Sequence, residues 1–215
     1  MASSELQISP SDFMKKVCEL YEEARHPKIR LQNISRGTSR VVSFEVEDLT
    51  AAFLATNLGT DYKFLIAQKM KVEAMSSFEP DVVVIKGNQI HDIIDVKMDL
   101  GRRRSDFFEE GEKWRDRLTQ LKGMECSFID GVSKERQFSS FASSVKCHMV
   151  VISAGNISSE QLQYQVSKYD NYDTVELYVL SENLHPNTYH KTPSEIIEIM
   201  NVRDDEFHRL LDYIT

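Results

Sequence analysis

Asp81, Asp95 and Lys97 are the residues whose types and spacing could do chemistry. Thirteen residues separate the two acids, and Lys97 follows the second by two positions. Paired carboxylates suit a hard divalent cation such as Mg²⁺, which keeps waters that can serve as a nucleophile. An ammonium close by can orient that water and offset charge on a phosphate.

The intervening sequence says how these groups would be positioned. Val82-Val83-Val84-Ile85 and Ile90 to Val96 are apolar, β-branched runs, and Lys86-Gly87-Asn88-Gln89 between them is a short polar turn. That pattern predicts a β-hairpin. Side chains alternate faces along a strand, so Asp95 and Lys97 share one side, as His91 does two periods earlier. A hairpin from 81 to 97 closes its open end on Asp81, which then lies beside Asp95 and Lys97. The same residues also fit a plainer arrangement. Asp95 and Lys97 would be a solvated same-face pair worth a fraction of a kcal/mol, with Asp81 a strand-start residue after Pro80.

Pro80-Asp81, thirteen residues, then Asp95-Val96-Lys97 resembles the signature of the PD-(D/E)xK, or restriction-endonuclease-like, nuclease superfamily. The third acid is Asp where Glu is more frequent, and no Gln or second Lys motif on the later helix fixes a subfamily. The resemblance implies an α/β fold with an αβββαβ core over residues 43–153, a mixed central sheet flanked by helices. Residues 1–42 add an N-terminal helix and linker, and 155–215 a C-terminal strand and helices, in one domain spanning 1–215. It implies Mg²⁺ or Mn²⁺ held by Asp81 and Asp95, with the Val96 carbonyl as a third ligand. Lys97 would position the attacking water and stabilise charge at the phosphate. Glu47, on a helix before the sheet, would complete a second metal site; as a first-turn acid it also suits the helix dipole alone. The implied activity is phosphodiester hydrolysis leaving 5′-phosphate ends, on DNA in the manner of a restriction enzyme, with a homodimer to cut both strands. A catalytically inactive member serving as a nucleic-acid-binding or assembly module is the alternative. Viral cap-snatching RNA endonucleases share the layout but add a histidine from an early helix, which His26 matches poorly.

A chain of 215 residues with 41% hydrophobic and 28% charged residues is long enough to bury a proper core. No run approaches a membrane span, and the polar first ten residues carry no hydrophobic signal region, so the expected setting is cytoplasmic. Cys18, Cys126 and Cys147 lack metal spacing and are expected to be reduced, buried thiols. A net charge of −8 argues against nonspecific coating of nucleic acid. Basic residues nevertheless cluster after the acids. Arg102, Arg103, Arg104, Lys113 and Arg117 are the candidate nucleic-acid contacts. A solvated loop for the arginines and a Glu109–Lys113 surface pair would explain them equally.

The remaining sequence predicts a helix over 11–25 ending at His26-Pro27, and a loop or short strand over 28–42. A second helix is expected from an N-cap at Ser43 to a stop at Gly59, with Val46, Leu49 and Phe53 inward. Phe64 to Ala67 reads as a strand. A helix from Ser105 to Gly123 should pack Phe107, Trp114, Leu118 and Leu121 on the sheet. Residues 126–145, rich in serine, read as a long loop or short helix at the rim of the site. Cys147 to Ser153 and Val175 to Leu180 are strands, and helices follow Ser158, Thr192 and Asp204. Asp92 and Asp99 are expected in solvent. No Gly-x-Ser-x-Gly elbow and no glycine-rich phosphate loop occurs.

Overall fold

The computed structural model describes residues 7–73, 75–100 and 106–214. Arg102, Arg103 and Arg104 lie outside the described residues. The elements in order are α1 (Pro10–Ala24), α2 (Ser43–Leu58), β1 (Tyr62–Ile66), β2 (Lys71–Val72), β3 (Val82–Lys86), β4 (Gln89–Lys97) and α3 (Asp106–Leu121). They continue with β5 (Glu125–Ile129), β6 (Arg136–Val151), α4 (Ser159–Tyr169), β7 (Val175–Val179), β8 (Ser181–Glu182), α5 (Pro193–Ile199), β9 (Asn201–Val202) and α6 (Asp204–Tyr213). The class is α/β with a mixed sheet. Its strand order is β1-β3-β4-β6-β5-β2, and β7 also pairs with β6. The β4–β6 and β6–β7 pairs are parallel and the others in this sheet antiparallel. No helix among the described residues is long and apolar enough to cross a membrane.

The expected hairpin forms. Val82 pairs with Ile94 and Lys86 with Gln89 around a tight turn. Gly87 there takes φ 62, a conformation that costs glycine least. Alternation then divides two cores. Val82, Val84, Ile94 and Val96 face α1, α2, α5 and α6, whereas Val83, Ile85 and Ile93 face α3 and α4. Phe13, Phe53 and Phe207 meet edge to face at 5.1–5.6 Å and tie α1, α2 and α6 together. A register shift near Ile90 inserts His91 as a bulge in β4. That bulge breaks the period of two that would align His91 with Asp95 and Lys97.

Helix ends are mostly where capping chemistry puts them. Ser9, Ser158 and Thr192 cap α1, α4 and α5, the last two through capping boxes. Ser43 is not an N-cap: it is the first residue of α2, and Val42 holds the cap position without a side-chain bond. Gly59 ends α2 at φ 86.

The largest correction falls on residues 126–145, which form strands and not a rim loop. Asp130 Oδ1 accepts from Val132 N at 3.0 Å and Ser133 N at 2.7 Å, and this Asx turn joins β5 to the sixteen-residue β6. The first half of β6 pairs with β5, the second with β7, and both halves pair with β4. Serines are tolerated there because the ladder and nearby carbonyls use their polar groups; Ser139 Oγ donates to Asn88 O at 2.8 Å. The Asp130-Gly131 pair between Ile129 and Phe138 was the available hairpin signal.

Candidate active site

The open end of the β3–β4 hairpin brings Asp81, Asp95 and Lys97 together. Pairing of Val82 with Ile94 puts Asp81 across from Asp95, both on the α3 side of the sheet. Val96 N–H donates to Asp81 Oδ2 at 2.6 Å, so this carboxylate stands where the ladder would otherwise continue. In a strand the N–H and C=O of one residue share an edge, so the Val96 carbonyl faces the Asp81 side as well. Lys97 Nζ lies 3.1 Å from Asp95 Oδ1 and 3.0 Å from Oδ2. The site reading needs Asp81 and Asp95 side by side, and they are.

Glu110, on α3, is a member that the sequence did not single out. Its Oε2 is 3.2 Å from Lys97 Nζ, which holds the ammonium between two carboxylates. Glu110 is three residues after Phe107 and four before Trp114, on the inward side of α3, but no local pattern linked α3 to the hairpin's end. The approach of α3 is fixed by Gly111: a Cβ there would come 2.6 Å from the Tyr169 ring of α4, whose hydroxyl donates to Phe107 O at 2.8 Å. Glycine inside a helix costs about 1 kcal/mol, so a packing reason of this kind is expected.

Glu47 reaches the site electrostatically from α2. It is only 7% exposed, while Asp48 is exposed on the far side of the helix. Burial, then the charges of Asp81, Asp48 and Asp95, push its carboxyl up from 4.5 to about 7. Burial likewise raises Asp81, against the Val96 hydrogen bond, the Lys97 charge and a hydrogen bond with Asp95. Asp95 rises to about 6, chiefly from burial, with Lys97 opposing and Asp81 reinforcing. Lys97 is raised as well, because the charges of Asp95, Glu110 and Asp81 together outweigh its burial. Four ionisable groups thus share one partly buried place, the kind of clustering found where protons or cations are handled.

Of the candidate nucleic-acid contacts, Lys113 is exposed on α3, one turn beyond Glu110. Arg117 stacks over Phe78 and Trp114 at 4.9 and 5.3 Å. Trp114 packs against the core, as its periodicity predicts. Cys18, Cys126 and Cys147 are free and buried.

Two aspartates expected in solvent are not there. Asp99 is held by Asn156 Nδ2 at 2.6 Å and lies 3.7 Å from His185 Nε2. Asp92 is 1% exposed and takes part in a core network, with Oδ1 2.9 Å from His148 Nε2 and His148 Nδ1 3.1 Å from Tyr178 OH. Strand alternation turns Asp92 to the opposite face from Asp95, where β6 and β7 supply the partners.

The donor set can be judged for a divalent cation from its own atoms. Asp95 Oδ2 is buried with the Lys97 ammonium 3.0 Å away, and two acids and a backbone carbonyl share one edge, an oxygen set of the sort hard cations take. No group of three or more His, Cys, Asp and Glu side chains among the described residues is arranged around a common metal position. The fit therefore rests on two carboxylates and the Val96 carbonyl, with Lys97 already beside Asp95. Comparison with known proteins found no matching family model, no matching curated protein and no matching solved structure.

Proposed function

We propose that this chain is a metal-dependent nuclease with a restriction-endonuclease-like αβββαβ core, hydrolysing phosphodiester bonds of nucleic acid, DNA in the first instance. The observation that carries the reading is the meeting of Asp81, Asp95 and Lys97 at one hairpin end, with both acids raised by burial. Asp81, Asp95 and the Val96 carbonyl would hold Mg²⁺ or Mn²⁺. When bound, the cation supplies polarisation of the phosphate and acidification of water.

The chain's own groups do the remainder. Lys97 stays an ammonium, since its pKa is raised, and so acts as a fixed positive charge near the phosphate and not as the base. Glu110 keeps that ammonium in place. Glu47, raised to about 7 in the absence of a cation, would take the proton that water releases. Water adds to phosphorus, the P–O3′ bond breaks, and the 3′-oxygen gains a proton, leaving a 5′-phosphate. A duplex cut on both strands would call for two copies of the chain.

A second reading has its own support. The Lys97 ammonium neutralises Asp95 without any metal, as in a fold that has kept the residues for stability and serves as a binding or assembly module. The cap-snatching variant lacks such support, since His26 follows the α1 C-cap Arg25 and is not among the groups that shift Asp81, Asp95 or Glu47.

The test is cleavage of plasmid, linear duplex, single-stranded DNA and structured RNA by wild type and Lys97→Ala, with Mg²⁺, Mn²⁺ or chelator. Metal-dependent products that vanish in the variant establish the nuclease. No product and no rise in melting temperature with Mn²⁺ would sink it in favour of the binding module.

A further inference from the structure

Beside the carboxylates lies a groove that none of the residues discussed so far explains. A hollow of about 530 Å³ is bounded by α1, the 36–43 segment and residues 187–189, and Arg25, Arg36 and Arg40 line it with no described carboxylate. It shares Tyr21, Met98 and Tyr189 with a neighbouring hollow of about 480 Å³. The second hollow does contain an acid, Asp99, which Asn156 engages. Both volumes are those of sites for single small molecules, so each accommodates one nucleotide-sized unit and not the body of a duplex.

Two covalent links fix the groove against the candidate active site. Met98 follows Lys97 directly, just past the end of β4, and packs on the α1–α2 side of the sheet while Lys97 is on the α3 side. Ser43, at the groove's other side, is one helical turn from Glu47 on α2, about 6 Å along its axis. A strand lying in the groove would reach Asp81 and Asp95 around the open end of the sheet, past the first turn of α2 that carries Glu47.

The lining has the two components that hold unpaired nucleic acid, a positive track and aromatic faces. Arg36 is exposed and donates to the Thr38 carbonyl at 3.2 Å. Arg40 is half-buried; its Nη2 donates to the Glu23 carbonyl at 3.1 Å, which fixes the guanidinium at the groove's wall. Arg25 lies 4.3 Å over the Tyr189 ring and is held by Asn187 Oδ1 at 2.8 Å, which stiffens the platform. Tyr189 itself is 57% exposed, so its other face is open to a stacking base.

We infer that this groove binds a single-stranded segment flanking the scissile phosphate, with Arg36 and Arg40 on successive phosphates and a base stacked on Tyr189. The inference deepens the nuclease reading and rests on it for the word scissile. It makes the preferred substrate a single strand or a frayed end.

The experiment measures binding of a labelled single-stranded oligonucleotide and the same sequence as duplex, by anisotropy in chelator over a range of salt. Wild type, Arg36→Ala and Tyr189→Ala are compared, with melting temperature as the check on folding; both side chains are exposed. Wild type should prefer the single strand, with a log–log salt slope of about −1.4 for two phosphates. Arg36→Ala should reduce the slope's size by about 0.7. Tyr189→Ala should weaken binding about tenfold with the slope unchanged. Equal affinity for duplex and single strand, or variants that bind as wild type does, would overturn the groove. The cleavage assay then separates the two claims. If Lys97→Ala abolishes cleavage while the groove variants bind and cleave normally, the groove falls and the nuclease stands. If nothing is cleaved but both groove variants bind more weakly, the groove stands and the nuclease falls.

Discussion

Asp92 and Asp95 sit three residues apart on one strand, both buried. Their surroundings differ. Asp92 faces α1, α2 and α6, and its partners His148 and Tyr178 are both 0% exposed. Asp95 faces α3, and its partner Lys97 keeps 29% of its side chain exposed, with Glu110 at 24%. One polar cluster is sealed and specifies the packing of β4, β6 and β7. The other opens at the sheet's end, where a ligand can reach it. Burial of a carboxylate alone does not mark a site; burial combined with access and competing like charges does.

The sharpest way to break this contrast is to remove the central group of each cluster. Lys97→Ala should lower metal-dependent cleavage at least about a hundredfold, with a smaller fall in melting temperature than loss of the sealed network gives, since Asp95 can take up a proton. His148→Ala should do the reverse. It leaves Asp92 and the Tyr178 hydroxyl buried without that partner, at a cost of about 3 kcal/mol, or a fall of roughly 6–12 °C in Tm, while cleavage per folded molecule holds. Exchange of those two outcomes would mean the sealed network is the functional one.

Titration sharpens the contrast next. Glu47 is shifted from 4.5 to about 7 and Asp95 from 3.8 to about 6. Between those values the folded protein keeps protons that the unfolded chain has released. Without metal, the contribution of these two groups to stability is full at low pH and is lost as pH rises through about 7. Melting curves in chelator from pH 5 to 8 should show that decline, and Mn²⁺ should reverse it by binding the ionised carboxylates. At pH 8, Glu47→Gln should raise Tm by about 2–4 °C, since a neutral group replaces a buried charge. A flat profile would mean that the open cluster is less strained than its geometry suggests.

Smaller effects follow further out. Glu110→Gln removes one of the two carboxylates holding Lys97, and cleavage should drop about fivefold, the worth of one hydrogen bond of about 1 kcal/mol. Lys113→Ala should change cleavage by less than about threefold and stability by less than about 0.5 kcal/mol, because its side chain is exposed and screened. A large loss at Lys113 would shift the substrate path onto α3.

The hairpin, the helices flanking it and the meeting of Asp81 with Asp95 and Lys97 were legible from local rules. A period of two, a turn at Gly87 and an amphipathic repeat act over a few residues and need no knowledge of the neighbours. The second half of β6 was read as a strand from Cys147 onward, but its serine-rich first half was not, because its strand character comes from pairing with β4 and β5 and not from its own composition. The solvent expected around Asp92 failed for the same reason: its partner His148 is 56 residues away, on a strand whose register only the assembled sheet fixes.

By itself, then, the sequence determined which residues could meet at the end of one hairpin, since that geometry is written in spacing. Tertiary structure decided what surrounds them. It brought Glu110 to Lys97, tied α3 to α4 through the gap at Gly111, and set the arginine groove beside Met98. Contacts between segments far apart in the chain depend on which faces bury together, and burial is a property of the whole fold, which no short window of sequence contains.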